Sequence, residues 1–215
     1  SVVFSYPEKA PDYQMDLPGA KLGGRAILPS DADIRMLGSR RKELQPYLSS
    51  YTVFGYMPQV GPDMATILKA NQSVKAFTYT ASKLLRTWVD TALFQQPLKR
   101  TNGSALMTRM VASALDAGVR VWTSTPVTEL VTNDDGAVTG AVLTGERAGT
   151  VQARLGVVLA GGGFSGDAEL RQQYFPHDRN GGQHFTPTQG HDGSSARMAM
   201  AVGGRINADV SSPGS

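Results

Sequence analysis

The absence of cysteine narrows the chemistry of this chain more than any other feature, since none occurs among its 215 residues. Disulfide bonds, zinc–thiolate centres and cysteine nucleophiles are therefore excluded within it. A chain without disulfides suits a reducing compartment, so we expect a cytoplasmic protein. No apolar run approaches the about 18 residues that a membrane-spanning helix requires, so no transmembrane segment is expected.

Charge is sparse as well. The chain has 21 basic and 18 acidic residues, which leave a formal net charge of +3. This excess is too small and too scattered to indicate binding of nucleic acid. The densest basic cluster is Arg40–Lys42, which we interpret as a solvated face.

Several patterns of metal and hydrolase chemistry are also missing. Three histidines, His177, His184 and His191, stand at regular spacing in a stretch rich in Pro and Gly, where no helical face would bring them together. No set of thiolates or carboxylates completes a metal site, so none is expected. The G-x-S-x-G elbow of serine hydrolases and the phosphate loop are absent too.

Residues 1–100 begin irregularly, because prolines interrupt any long element, and then become helical. Ser73–Gln96 carries apolar residues at steps of three and four, which predicts a helix with one buried face, ended by Pro97. These apolar residues are Val74, Phe77, Ala81, Leu84, Leu85, Trp88, Ala92 and Phe94.

Residues 101–215 have a cleaner pattern, which predicts a mixed α/β fold. An apolar stripe over Leu106–Leu115 predicts a helix that stops at Gly118. Short strands are predicted around a strong turn at Asn133–Gly136, and they should form an antiparallel β-meander. The predicted strands are Val119–Trp122, Val127–Val131, Val138–Leu143 and Thr150–Leu155; further helices are predicted at Asp167–Tyr174 and Ser194–Val202.

The sharpest local signal is Val157–Ala160, which is continuously apolar and predicts a strand buried on both faces. It runs directly into Gly161, Gly162 and Gly163. Successive glycines let backbone N–H groups approach a phosphate, a ribose or a ring closely. A tight strand exit without any ligand is the alternative interpretation.

Two helix starts also offer unpaired N–H groups and a partial positive charge. Asn102-Gly103-Ser104 opens one helix, and Gly190–Gly193 precedes the other. Ordinary capping of a helix is the simpler interpretation of each of them.

Taken in order, these strings resemble the fumarate reductase/3-ketosteroid dehydrogenase superfamily of FAD enzymes. The strings are Asn102–Leu106, Thr125–Leu130, Val157–Phe164, Gly190–Gly193, Met198-Ala199 and Gly203-Gly204. Four strings of the first half are similar to the 3-ketosteroid Δ1-dehydrogenase branch and its relatives. They are Pro11–Tyr13, Leu17–Gly19, Gly23–Arg25 and Thr52–Gly55.

The resemblance implies the middle part of an FAD-binding, Rossmann-like domain, with an antiparallel meander and packed helices. Residues 1–100 would belong to the region of the FAD and substrate cleft, and residues 101–215 to the FAD-binding segment. In such enzymes a G-x-G-x-x-G cradles the FAD diphosphate. We therefore expect this chain to be an internal piece, with the fingerprint before Ser1 and the substrate domain after Ser215. FAD is expected in the longer protein.

The resemblance also implies site residues. Asn102, Gly103 and Ser104 would approach the flavin, and the backbone of Val127 would contact the adenine. Residues expected along the nucleotide or beside the second helix start are Ala160, Gly161, Gly162, Gly163, Asp192 and Gly193. The family usually has Thr-Gly-Asp-Gly at the latter place, so His191 is a departure from its pattern.

Tyr13 matches a family tyrosine at the substrate site and is the catalytic candidate. The implied reaction desaturates a ketosteroid or similar ketone: a carbonyl acidifies the adjacent C–H, a base takes that proton, and a hydride passes to the flavin. A second tyrosine outside this chain would be the base, supported by Tyr13. The alternatives are a fumarate-reductase-like enzyme and an inert isolated domain, which would expose apolar surface and tend to dimerise.

Overall fold

The computed structural model describes residues 4–5, 15–23, 27–175 and 190–208. The chain divides into two compact units, Ser1–Val121 and Trp122–Ser215. Helices and antiparallel strands occur in both, which confirms the predicted mixed α/β class. The sequence pattern predicts a boundary between two segments near residue 100. In the structure the next helix, Asn102–Asp116, packs on elements of the first unit, which extends to Val121. Tyr13, His177 and His184 lie outside the described residues.

The first unit is built on two short antiparallel ladders and two short 3-10 helices that meet at Gly38. Its strands are β1 (Phe4–Ser5) paired with β2 (Leu28–Pro29), and β3 (Ala32–Asp33) paired with β4 (Lys99–Arg100). The 3-10 segment Ile34–Glu43 is kinked at Gly38, where φ is +56°, and its N-cap is Asp33, whose carboxylate accepts a hydrogen bond from the Arg35 N–H. Its buried residues Ile34 and Leu37 form the core of the unit with Leu98 and Ala112.

Three α-helices complete the first unit: α1 (Pro62–Ile67), α2 (Val74–Phe94) and α3 (Asn102–Asp116). The predicted helix at 73–96 is confirmed as α2, with Ser73 as its N-cap and Gln95 in the left-handed region as its C-cap. The predicted stop of α3 is confirmed as well. Gly118 has a φ of +79°, which glycine adopts without strain.

The prediction for the buried face of α2 is wrong. Phe77 and Leu85, on the apolar stripe, are 61% and 62% exposed, and Val74 and Trp88 of the same stripe are exposed too. The buried face instead carries Ala76, Thr80, Thr87 and Asp90. This polar face can be buried because its groups have partners: the Thr80 hydroxyl donates to the Ala76 carbonyl, and the Asp90 carboxylate accepts from the Leu98 N–H.

A half-buried carboxylate joins α1 to α2. Asp63 accepts hydrogen bonds from the hydroxyls of Tyr56 and Tyr79, both at 2.7 Å, and from the Gln59 N–H at 2.8 Å. Burial alone would raise the pKa of Asp63, but these hydrogen bonds and nearby Lys83 outweigh it and hold the pKa below its usual range. The hydrogen bond to Asp63 raises the pKa of Tyr79 to about 12.

We expect Asp63→Asn to lower the free energy of unfolding at neutral pH by about 1 to 3 kcal/mol, because a charge-assisted acceptor of three hydrogen bonds is lost. Since the folded pKa of Asp63 is depressed, its stabilisation is present above the unfolded pKa of about 4 and disappears as the pH falls through the folded value. Denaturant titrations at neutral pH and at about pH 3 measure this. The difference between variant and wild type should shrink at the lower pH; Asp134→Asn, at an exposed turn position, is the control.

The second unit contains the predicted meander. Its strands, in the antiparallel order β5-β6-β7, are β5 (Val127–Thr132), β6 (Val138–Leu143) and β7 (Gly149–Gln152). The turn at Asn133–Gly136 is confirmed: the Asn133 side chain accepts a hydrogen bond from the Ala137 N–H at 2.8 Å, and Gly136 has a positive φ. Two short helices follow, α4 (Ala168–Tyr174) and α5 (Ser194–Ala201), close to their predicted bounds.

Two predicted strands are wrong. Neither Val119–Trp122 nor Val157–Ala160 pairs with any segment among the described residues. The second run was expected to be buried on both faces, yet Val158 is 89% exposed. A strand buried on both faces needs neighbouring strands and covering helices, and the described part of this chain places none beside this run. The apolar residues of β6 are covered because β5 and β7 pair with that strand, whereas Val157–Ala160 has no such neighbour among the described residues.

Candidate functional site

The glycine run and the loop before α5 pack against each other in the second unit. The Gly193 N–H donates to the Gly163 carbonyl at 3.2 Å, and the Gly166 N–H donates to the His191 carbonyl at 2.7 Å. The structure therefore brings together two of the strings that the sequence singled out separately. They meet where α5 begins.

The glycines of the run make room for side chains of that loop and of α5. A Cβ on Gly161 would collide with the Ser195 hydroxyl. A Cβ on Gly162 would lie 2.7 Å from His191 Cδ2, and Gly162 also has a φ of +93°, a conformation that favours glycine. The sequence predicts that these positions are glycine because a ligand approaches the backbone there. The structure shows that Ser195 and His191 already occupy the space that side chains there would need.

The backbone N–H groups of the run remain available to a ligand. Gly161, Gly162 and Gly163 are exposed, and within the described ranges none of their N–H groups has a hydrogen-bond acceptor. A row of exposed, unpaired N–H groups suits an anionic ligand rich in acceptors.

A cavity of about 560 Å³ lies between β5 and α5. Its lining residues are Val127, Thr128, Glu129, Leu130, Thr132, Ser194, Arg197, Met198, Ala201 and Val202. The volume is in the range of sites for small molecules and cofactors. Val127, one of the predicted site residues, therefore borders a concave surface next to the helix that the glycine run contacts.

Two neighbours of this cavity have structural roles. Gly193 is buried with a φ of +77°, and a Cβ there would lie 2.8 Å from an oxygen of Asp167 and 2.9 Å from Leu170 Cδ1. Asp167 caps α4 and binds the Arg197 guanidinium at 2.6 Å. The Asp192 carboxylate is exposed and accepts from the Ser194 N–H, which satisfies one donor at the start of α5. These contacts fix α4 against α5.

In the first unit, the start of α3 lacks a side-chain cap. Its N-cap is Thr101, whose hydroxyl donates instead to the Met57 carbonyl at 3.0 Å. Asn102 has a φ of +52°, and its side chain binds the Pro58 carbonyl and the Val60 N–H. The Asn102 amide is thus occupied by a neighbouring loop, which leaves the first N–H groups of α3 and Ser104 as the groups that could face a ligand.

The sequence matches the model of the FAD binding domain family over residues 8–213. The chain belongs to this family. FAD is accordingly the cofactor that the family binds, and the resemblance to FAD-dependent dehydrogenases is confirmed.

Among proteins similar to this member of the FAD binding domain family is the 4-oxocyclohex-2-ene-1-carboxylate 5-dehydrogenase of Sinomonas cyclohexanicum, 65% identical over 100% of the chain and 36% of the relative. The 3-oxosteroid 1-dehydrogenase of Comamonas testosteroni is 28% identical over 77% of the chain and 30% of the relative. The chain therefore spans about a third of the length of these relatives.

A solved structure is similar as well. The 3-ketosteroid delta1-dehydrogenase of Sterolibacterium denitrificans, in complex with 1,4-androstadiene-3,17-dione, superposes with a TM-score of 0.76 at 28% identity. The match covers 95% of this chain and 37% of that one. The predicted fold of a flavoenzyme is thereby confirmed.

The described residues fit parts of FAD. The diphosphate carries anionic oxygens that suit the unpaired N–H groups of Gly161–Gly163, and the cavity beside Val127 has room for a ring. The sequence analysis did not predict that Ser195 and His191 contact the glycines. Only the departure of His191 from the family pattern could have drawn attention to it, since a serine at a helix start carries no signal of its own.

The described side chains offer neither a metal site nor a membrane span. Within residues 15–23, 27–175 and 190–208, no three side chains of His, Asp or Glu are grouped so that they could hold a metal ion. In the same ranges, no helix combines the length and apolar character needed to cross a bilayer.

Proposed function

We propose that this chain forms part of the FAD-binding domain of a dehydrogenase that introduces a carbon–carbon double bond into a ring next to a ketone. The observation that carries the proposal is the 65% identity, over the whole chain, to a relative named for dehydrogenation of a ring ketone at the carbon next to the carbonyl. The 3-oxosteroid 1-dehydrogenase relative also acts on a ring ketone, as its name states.

The substrate we propose is a small six-membered ring that carries a ketone and a carboxylate, rather than a steroid. Identity falls from 65% for the oxocyclohexene carboxylate dehydrogenase to 28% for the oxosteroid dehydrogenase. The chain's own residues would contribute mainly to placing the cofactor. The N–H groups of Gly161–Gly163 would hold the diphosphate, the surface around Val127 the adenine, and the start of α3 the flavin side.

The chemistry divides between a base and the cofactor. A ketone acidifies the C–H bond beside it, so a base can remove a proton from that carbon. When bound, FAD accepts the hydride that leaves the next carbon, and the ring gains a double bond as it loses one proton and one hydride. We assign Tyr13 the supporting role beside the base, which would lie outside this chain.

The test uses the longer protein that contains this chain, purified with its flavin. Anaerobic mixing with 4-oxocyclohex-2-ene-1-carboxylate is expected to bleach the visible flavin absorbance faster than mixing with a 3-oxosteroid. Bleaching by the steroid alone would contradict the proposed substrate but keep the dehydrogenase. A flavin that neither compound bleaches, while fumarate reoxidises its reduced form, would overturn the proposal in favour of a fumarate-reductase-like activity.

A further inference from the structure

We propose that His191 is a side-chain ligand of the bound cofactor, adding a hydrogen bond from its Nε2 to the contacts made by the glycine run. The inference rests on the proposed FAD site and deepens it. The sequence alone showed only that a histidine replaces a family glycine in Gly190–Gly193. The structure shows where its ring lies.

The imidazole is fixed beside the glycine run. Its Cδ2 and Nε2 would be 2.7 and 3.2 Å from a Cβ on Gly162, and its Nδ1 3.8 Å from one on Gly163. The His191 carbonyl accepts from the Gly166 N–H, which anchors the backbone from the other side. The ring is therefore held against the same turn whose N–H groups are exposed and unpaired.

The two ring nitrogens differ in their partners. Nδ1 lies 3.4 Å from the Ser165 hydroxyl, whereas Nε2 has no partner among the described residues. If the hydroxyl donates to Nδ1, the neutral ring carries its proton on Nε2 and presents a donor there. The charged neighbours of this region are Asp167, Arg171, Asp192 and Arg197, and the first and last pair with each other.

A donor at this place suits the acceptor-rich diphosphate of FAD. A glycine, as in the usual family pattern, offers only its backbone N–H. His191 adds a second donor on a ring that Gly162 and Gly163 accommodate because they lack side chains. Ser165 acts as a positioning residue, since it selects the nitrogen that carries the proton.

The test separates the two nitrogens with two variants in the longer protein. In His191→Gln the side-chain amide can reach the position of Nε2, whereas in His191→Asn it reaches only that of Nδ1. The dissociation constant for FAD, from flavin fluorescence, is expected to rise about tenfold in His191→Asn and to stay near the wild-type value in His191→Gln, since a hydrogen bond to a charged group is worth roughly one decade. Thermal unfolding of the apoproteins reports any structural loss.

Equal dissociation constants in wild type, Asn and Gln variants would overturn the role of His191 while leaving the proposed FAD site intact. A wild-type protein that fails to retain flavin would overturn both. If His191→Asn does not fold, Ser165→Ala replaces it, because removing the hydroxyl frees the proton to move to Nδ1. Its FAD affinity should then fall about threefold, less than in His191→Asn, because part of the population still carries the proton on Nε2, and an unchanged affinity would again contradict the inference.

Discussion

Gly162→Ala is expected to lower both the free energy of unfolding and the affinity for FAD, whereas Gly163→Ala leaves the free energy of unfolding nearly unchanged. At position 162 two costs add up. The φ of +93° is a conformation that alanine adopts only at a cost of about 1 to 2 kcal/mol. The new methyl group would also lie 2.7 Å from the His191 ring and 3.0 Å from the Gly190 carbonyl. Relief of this crowding has to displace the loop that precedes α5.

Gly163 is the matched control, because it stands next in the chain, is equally exposed, and has its nearest neighbour, His191 Nδ1, at 3.8 Å from a Cβ. Denaturant unfolding of the two variants in the longer protein measures the difference in stability, and FAD titration of Gly162→Ala against the wild type measures the loss of affinity. The double variant Gly162→Ala/His191→Gly separates the costs, since it removes the ring but not the backbone strain. Two variants with the same stability would show that the contact between Gly162 and His191 does not hold the loop.

Much of the fold was predictable wherever the determining contacts are local. The turn at Asn133–Gly136 fixes the register of β5 and β6 through one side chain and one positive φ. The stop of α3 needed only Gly118, and the start of α4 only the carboxylate of Asp167. Each of these signals lies within four residues of the structure it determines.

Other features depend on contacts that the sequence pattern does not encode. The periodicity of α2 identified an apolar face, but the chain covers the opposite face, where Thr80 and Asp90 satisfy their polar groups locally. The run Val157–Ala160 reads as a buried strand, yet nothing in the described residues pairs with it. Asp63 gathers two tyrosines and a backbone donor from separate elements, and no spacing announces such a cluster.

The sequence predicted only some of the residues that form the candidate site. The resemblance singled out the glycines and Val127, because family motifs record which positions stay small or contact the nucleotide. It assigned no role to Ser195 or His191, whose side chains fill the space beside those glycines. A motif shows that a side chain is excluded, and the structure is needed to show what excludes it.

The apolar stripe of α2 is exposed to solvent in this chain. Phe77 and Leu85 belong to it, and a helix with an apolar face this long in water is a surface for association. We expect the isolated 215-residue chain to bind a hydrophobic dye and to self-associate. The double substitution Phe77→Glu/Leu85→Glu should reduce both without lowering the free energy of unfolding, because neither side chain is buried within this chain.

The matched control is Thr87→Glu, which introduces the same side chain on the buried face of α2. It places a larger, charged side chain at a buried position, so the chain should lose stability or fail to fold. Sedimentation and dye fluorescence measure association, and denaturant titration measures stability. A monodisperse wild-type chain that binds no dye would contradict the expected role of the stripe.

In the longer protein, the same double substitution is expected to lower thermal stability. The chain spans only 36% of the relative to which it is 65% identical, so most of a protein of that length lies outside it and can cover α2. Each covered Phe or Leu side chain is worth about 1.5 to 3 kcal/mol, and burying a glutamate in its place adds a further cost. Phe77→Glu/Leu85→Glu should therefore lower the Tm of the longer protein while leaving that of the isolated chain unchanged. Equal shifts in both would show that the stripe stays in water in the longer protein as well.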